Sequence, residues 1–538
     1  MRNLLRVIHI ILLFVSCSER TVTTSLVFRM NMESALNSLD PAFARDQYGI
    51  WACSQFYNGL IQLDTAMNPM PAIAKSWELL DSGKLYRFYL RNDVRFHKDA
   101  CFSGKEDRLV TAKDFVWSFQ RLLDPALASP GAWIFNDKVE GPSSFRAVND
   151  TTFEIHLLRS FPPLPGLLAM PYCFVLPEEA VRFYGNTFRA HPVGTGPFQL
   201  KFWEEGIKLV GTRNPNYFER ENNVQLPYLD GFEVSFIESK QTAFMEFVQG
   251  KLDFYNGLEG GFKDELLTRN GDLKPKYTGK FKLRVGPYLN TEYFGFMIDP
   301  KIESEVYNPL INKDLRRALS FAINREEMMR FLRNNIGLPG NGGFIPVGLP
   351  GHQADIGYAF NSDSARFYLK QSAYKGQELV LYTNKSYLDL TVYVQRMWQQ
   401  IGVKARIEVN PGPFHREMVS KAKFMCFRGS WLADYPDAEN YLSLFYSPNF
   451  APGGPNFTHY TNPAFDDLYR KAMNESNPRM RETYYQQMDA LMMEEAPVLV
   501  LFYDQTMQLL SNRMEALPVN AMNHLQLKNA KMYVAISE

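Results

Sequence analysis

The sequence predicts an α/β protein built from at least two packed units, and three observations carry that expectation. The chain has 538 residues, beyond the size at which a single hydrophobic core usually stops growing. Its first half mixes strand patterns with isolated helices. Its second half alternates strand and helix in the order that a parallel sheet with right-handed crossovers requires. No repeat, low-complexity tract or long linker interrupts the chain, so the units are expected to share hinge strands.

In chain order, Ser76 to Leu80 and Lys84 to Arg91 flank Asp81-Ser82-Gly83, and Tyr86, Phe88 and Leu90 alternate as a hairpin requires. A helix starts at Thr111, where Thr111-x-x-Asp114 has the form of a capping box, and runs through Phe115, Phe119 and Leu122 until Asp124-Pro125. A strand follows at Phe153, Ile155 and Leu157. Three prolines make Phe161 to Pro165 irregular, and Val193 to Phe198 leads into strand residues near Ile207 to Val210. Further on, helices are predicted at Asp314 to Ala322, Arg325 to Arg333 and Ser362 to Gln371. Next come a strand at Glu378 to Tyr382, a helix from Leu388 to Ile401 and a strand with Val403, Ala405, Ile407 and Val409 alternating. A helix after Pro413 leads to the short strand Phe424 to Phe427, whose exit reads as the loop Arg428 to Asp437. Ligands of open α/β sheets bind beyond the carboxyl ends of strands, which is where this loop lies. Helices at Pro463 to Met473 and Arg479 to Glu495 precede a buried strand, Val498 to Tyr503.

Hydrophobic residues make up 46% and charged residues 22%, the balance of an ordinary globular protein. Lys plus Arg equals Asp plus Glu at 58 each, so no net field draws the chain to nucleic acid. Aromatic residues reach 14%, which suits either a gripping cleft or simply a large aromatic core. Arg2 and Arg6 precede an apolar run from Val7 to Val15, broken only by His9 and too short to span a bilayer. Residues 1–16 therefore read as a secretory signal. Val15-Ser16-Cys17 resembles a lipoprotein processing site, with Phe14 where Leu is usual, so Cys17 is expected to carry lipid and 17–21 to form the tether. Cys53, Cys101, Cys173 and Cys426 remain, enough for two disulfides in an oxidising compartment or for four buried thiols.

Chemistry of other kinds finds little footing. The chain lacks a Gly-x-Ser-x-Gly elbow, a His-Glu-x-x-His motif and a phosphate loop, which counts against a secreted hydrolase. His97, His156, His352 and His459 have no partner at ligand spacing, so neither a metal nor a cofactor is expected. Asp466-Asp467 and Glu494-Glu495 fall in predicted helices, where adjacent side chains point apart and read as solvated faces.

Several segments together resemble the dipeptide and oligopeptide family of ABC-transporter substrate-binding proteins, solute-binding protein family 5. They are Ser38 to Pro41, Tyr57 to Leu60, Pro71 to Glu78, Leu85 to His97, Thr111 to Ser118, Gly194 to Phe198, Arg213 to Tyr217, Leu315 to Arg325 and Trp431 to Glu439, in family order. The resemblance covers nearly the whole chain after the signal. It implies the two-lobed periplasmic-binding-protein fold with an extra subdomain in lobe one, and no enzymatic step. Lobe one is expected at 22–290, with the subdomain at about 63–184, and again at 504–538; lobe two is expected at 291–503. Lys98 to Leu109 departs from the family by an insertion that adds Cys101 and many charges.

The resemblance also assigns a site. Asp434, in the Ala-Asp-Tyr motif with Tyr435, is expected to hold a peptide's free ammonium, a charge that needs a fixed carboxylate once out of water. Arg428 matches an arginine that meets the ligand's carboxyl end, or else pairs with a neighbouring acid. Backbone groups of Ser430 and Leu432 are expected to pair with the peptide as an added strand, and Trp431 packs against a ligand side chain or under the loop. Arg45, Asp46 and Gln47 fall where lobe one touches the ligand backbone. The implied partners are a short peptide, an ABC permease with its ATPase subunits and the membrane through the lipid, with the chain a monomer on the outer side of a bacterial membrane. The same fold also takes nickel complexes, haem and oligosaccharides, so a non-peptide solute is the alternative, alongside a sensory or chaperone-like surface lipoprotein.

Overall fold

The computed structural model describes residues 25–104, 108–257, 260–301, 308–372 and 374–533. The signal at 1–16, Cys17 and the tether lie outside the described residues. Strand β1 (Val27–Met32) and helix α1 (Gln47–Phe56) open the fold. The hairpin follows as β2 (Ala74–Leu80) and β3 (Leu85–Leu90), turning at Ser82 and Gly83 with φ of 51° and 88°. Helix α2 (Ala112–Leu122) starts at the predicted capping box. With β4 (Phe145–Asn149) and β5 (Thr152–His156), the hairpin makes a four-stranded sheet in the order β2-β3-β5-β4. Phe115 and Phe119 of α2 cover that sheet, their rings 5.8 and 5.5 Å from Phe153. The divergent loop closes onto this unit: Arg108 pairs with Asp114 (2.6 Å) and Glu179 (2.9 Å), and Cys101 and Phe102 are buried.

The expected irregular stretch at Phe161 to Pro165 instead begins a short helix, Leu164–Leu168, because a proline in a first turn gives up no intrahelical bond. The Gly194-x-Gly196 motif packs on the end of α1. A Cβ would stand 2.0 Å from the Phe56 carbonyl oxygen at Gly194 and 2.3 Å from the Phe56 carbonyl carbon at Gly196, so no larger residue fits. Beyond it lie β6 (Phe198–Glu204), β7 (Lys208–Arg213), β8 (Gly231–Phe236), β9 (Phe254–Asn256) and the long β10 (Phe281–Phe296). The second half follows its predicted rhythm: α3 (Lys313–Phe321), α4 (Arg325–Leu332), α5 (Ser362–Gln371), β11 (Leu379–Asn384), α6 (Leu388–Gln400), β12 (Ala405–Asn410), α7 (Gly412–Ser420), β13 (Cys426–Leu432), α8 (Pro463–Asn474), α9 (Pro478–Glu495) and β14 (Val498–Ser511).

The main sheet runs β12-β11-β13-β10-β14-β9-β1-β8-β7-β6, with Leu338–Pro339 pairing β14 off that path. β11 is parallel to β12 and to β13, as the β-α-β rhythm predicts, while β10 is antiparallel to both β13 and β14. The two long strands serve both ends of the sheet. Phe281 to Pro287 pair with Gln505 to Ser511, Thr291 to Gly295 pair with Val498 to Tyr503, and the register breaks between Pro287 and Thr291. The result is a two-lobed α/β fold, with the four-stranded unit added to the first lobe.

Two strands outrun their sequence signals. β13 does not end at Phe427 but continues through Leu432, because residues 426–432 pair one to one with Asn290 to Phe296. β14 continues past Tyr503 to Ser511 for the same reason, its polar end being held by β10 and β9. All four remaining cysteines are buried free thiols. Asp466 is not on a solvated face: it is buried and accepts from the Ser447 N–H at 3.1 Å and from the Ser447 hydroxyl.

Candidate functional site

β13 has one free edge. β10 covers its other side from Cys426 to Leu432, but among the described residues β11 meets it only at Phe427, opposite Tyr382. The edge from Arg428 to Leu432 therefore carries no strand, and Ser430 and Leu432 are exposed on it. An unpaired edge offers main-chain donors and acceptors to an extended ligand whatever its side chains. At its start the edge is sealed, since the buried His415 donates from Nε2 to the Arg428 carbonyl at 2.8 Å. Burial pushes the His415 imidazole below its usual value, which keeps it neutral.

At its other end β13 turns into the Ala433–Asp437 loop, fixed by two bonds to one acceptor. The Ala433 N–H (2.9 Å) and the Tyr441 hydroxyl (2.6 Å) both donate to the Leu289 carbonyl. Asn440 then sets the side chains. Its Oδ1 accepts from the Asp434 N–H (3.1 Å) and from Trp431 Nε1 (3.0 Å), and its Nδ2 donates to Asp434 Oδ2 (3.3 Å). Trp431 is thereby tied beneath the loop. Asp434 is exposed, yet the protein around it raises its carboxyl above the usual value, with the Asn440 bond pulling the other way.

Asp434 opens into a cavity of about 210 Å3 lined by residues from both halves of the chain. Leu432, Asp434 and Tyr435 form one wall, and Arg45, Gln47 and Tyr172 form the other. Five of the nine residues that the sequence nominated thus surround one space. Gln47 is steadied by donating to the Asn523 carbonyl at 3.2 Å. Tyr435 is buried, gives its hydroxyl to Glu439, and has its ring tilted against that of Trp133 with centres 6.3 Å apart. The Tyr172 hydroxyl is pushed up to about 12 by burial and by the Asp434 charge, with Arg45 opposing. Asp46 is placed differently: it caps α1, accepting from the Gly49 N–H at 2.9 Å, and faces an adjoining cavity.

Arg428 lies at the other end of the free edge, buried and ion-paired with Glu292 of β10. Its guanidinium stands 3.1 Å from the centre of the Tyr387 ring. Asn290 donates to Glu292 (2.9 Å) and to Asp504 (3.5 Å), so the acids there form one bonded group. Burial lowers the Arg428 pKa well below its usual value, while Asp504 opposes that shift. No helix among the described residues is long and apolar enough to cross a membrane.

A family model described as "Bacterial extracellular solute-binding proteins, family 5 Middle" matches residues 68–452. The chain belongs to family 5 of the bacterial extracellular solute-binding proteins. This family consists of substrate-binding proteins rather than enzymes. Over 506 residues the chain is 25% identical to the periplasmic oligopeptide-binding protein OppA of Salmonella typhimurium, covering 88% of this chain and 86% of that one. It is 24% identical over 521 residues to the probable deoxycholate-binding periplasmic protein YgiS of Escherichia coli, covering 92% and 91%. HbpA2 from Haemophilus parasuis shares the fold, with a TM-score of 0.81 at 21% identity over 94% of this chain and 100% of that one.

Within this family 5 chain, sequence reasoning missed Asn440, Tyr172, Glu292 and His415. Asn440 and Tyr172 carried no motif of their own. Glu292 and His415 are joined to Arg428 only through the pairing of β13 with β10 and the packing of α7 on the sheet.

Proposed function

We propose that this protein captures short peptides between its two lobes on the outer side of a bacterial membrane and delivers them to an ABC permease and its ATPase subunits. One observation carries the reading: a free strand edge at Ser430–Leu432 runs directly into Asp434 inside a cavity that both lobes line. A peptide laid on that edge gains main-chain bonds at Ser430 and Leu432 and places its ammonium at Asp434. The ligand is short, because His415 already occupies the Arg428 carbonyl and ends the edge. Arg428, held by Glu292, bounds the ligand's carboxyl end, Trp431 supports the loop from below, and Arg45 and Gln47 contribute from lobe one.

Lobe one then comprises 22–290 and 504–538 with a subdomain at about 63–184, and lobe two comprises 291–503. The hinge is the register break in β10 between Pro287 and Thr291. Cys17 carries the lipid that keeps a monomeric receptor at the membrane.

Two experiments test this. A tripeptide should raise the melting temperature and reduce the radius of gyration in small-angle scattering. If deoxycholate does so and no peptide does, the solute is not a peptide. Metabolic labelling with a fatty acid should mark the wild type and not Cys17→Ala, and equal labelling of the two would remove the anchor.

A further inference from the structure

Arg45 and Asp434 are the charged groups of the inter-lobe cavity. His524, the remaining titratable base on its wall, is pushed down to about 4 by burial and is neutral. Among the described residues neither Arg45 nor Asp434 forms an ion pair, although both line one space and both act on the Tyr172 hydroxyl, as does Asp46 from the adjoining cavity. Opposite charges that share a cavity without meeting are spaced for a solute that brings its own amine and its own carboxylate. The guanidinium fork matches a carboxylate with two parallel bonds.

Position decides which carboxylate. Arg45 shares its cavity with Leu432 to Tyr435, at the amine end of the free edge, while Arg428 lies at the other end. A ligand strand advances about 3.3 Å per residue, so the terminal carboxylate of a tripeptide is carried away from Arg45. We propose that Arg45 is a specificity residue that selects ligands bearing a carboxylate within about one residue of the free amine. That group is supplied by an acidic side chain at the first or second position, or by the terminus of a dipeptide. The inference rests on the peptide reading above.

Calorimetry on the full chain, with Ala-Ala-Ala, Glu-Ala-Ala, Ala-Glu-Ala, Ala-Ala and Ala-Ala amide, tests it. The wild type should bind a glutamate peptide or free Ala-Ala about tenfold or more tighter than its uncharged counterpart. Arg45→Ala should erase that preference, so that charged and uncharged peptides bind alike, and Arg45→Glu should reverse it. Arg45 is exposed, so these variants should melt with the wild type. An advantage confined to the glutamate peptides identifies the side chain as the source, and one confined to Ala-Ala over its amide identifies the terminus. Peptide binding with a preference that survives Arg45→Ala, or with no preference at all, overturns this inference alone. No binding of any peptide overturns the peptide reading and this inference with it.

Discussion

Replacing Asp434 by alanine should weaken peptide binding by about a hundredfold while leaving the loop folded. Truncating one partner of a buried, hydrogen-bonded charge pair typically costs about 2 to 5 kcal/mol, or roughly thirtyfold to a few thousandfold in Kd. Two features of the site choose within that range. Asp434 is exposed before ligand arrives, so part of its interaction with the ammonium is repaid by lost hydration, which favours the lower half. Against this, Asn440 already holds the carboxylate in place, so little entropy is spent in orienting it. The loop keeps its Ala433 and Tyr441 bonds to Leu289 in the variant, and circular dichroism and melting should be unchanged. The assay is calorimetry with one tripeptide in free and N-acetylated forms against wild type and Asp434→Ala. The wild type should reject the acetylated form, and the variant should discriminate little between the two. Equal binding of both forms by the wild type would refute the assignment of Asp434 to the amine.

Asn440→Ala should weaken the free peptide about tenfold through a carboxylate no longer held, while retaining discrimination against the acetylated form; calorimetry with the same pair checks this. Breaking the buried pair with Glu292→Leu should destabilise the fold by about 3 to 5 kcal/mol, and adding Arg428→Met should recover most of the loss in a denaturant titration. Peptide affinity should fall on both sides of neutral pH. The raised Asp434 carboxyl is neutralised as pH falls, sooner than an ordinary aspartate, and the peptide amine loses its proton above about 8. In a calorimetric pH series Asp434→Ala should flatten both limbs, because the ammonium then has no carboxylate to lose.

Local signals were legible in the sequence, and partnerships were not. The hairpin at Asp81–Gly83, the capping box at Thr111 and Asp114, and the run from β11 through α6 to β12 are each specified by residues within one element, and each stands where its pattern put it. β13 was misread beyond Phe427 because Arg428-Gly429-Ser430 interrupts its apolar run; what keeps it extended is β10, more than a hundred residues away in sequence. The candidate site divides in the same way. Asp434 was found through a motif, but the Asn440 bonds that aim it and the Glu292 carboxylate that claims Arg428 exist only once the strands pair. The Arg45 to Gln47 segment was placed in the cleft, yet a local rule, capping of α1, takes Asp46 out of the main cavity.

The cleft is charged unequally along its length, and that asymmetry bears on what it can hold. At the far end Arg428 is already paired with Glu292, with Asp504 joined to that acid through Asn290, so the guanidinium there has its counter-charge within the protein. At the near end Asp434 is bonded to Asn440 and shares its cavity with Arg45 without pairing with it, so burying its raised carboxyl favours a ligand that brings a cation. An anionic solute with no amine could meet Arg45 but would leave Asp434 without a cation, so its binding should strengthen as pH falls and Asp434 is protonated, opposite to that of a peptide. The two ligand classes thus predict slopes of opposite sign over the same acidic range, and the sign is set by Asp434, which forms no ion pair among the described residues.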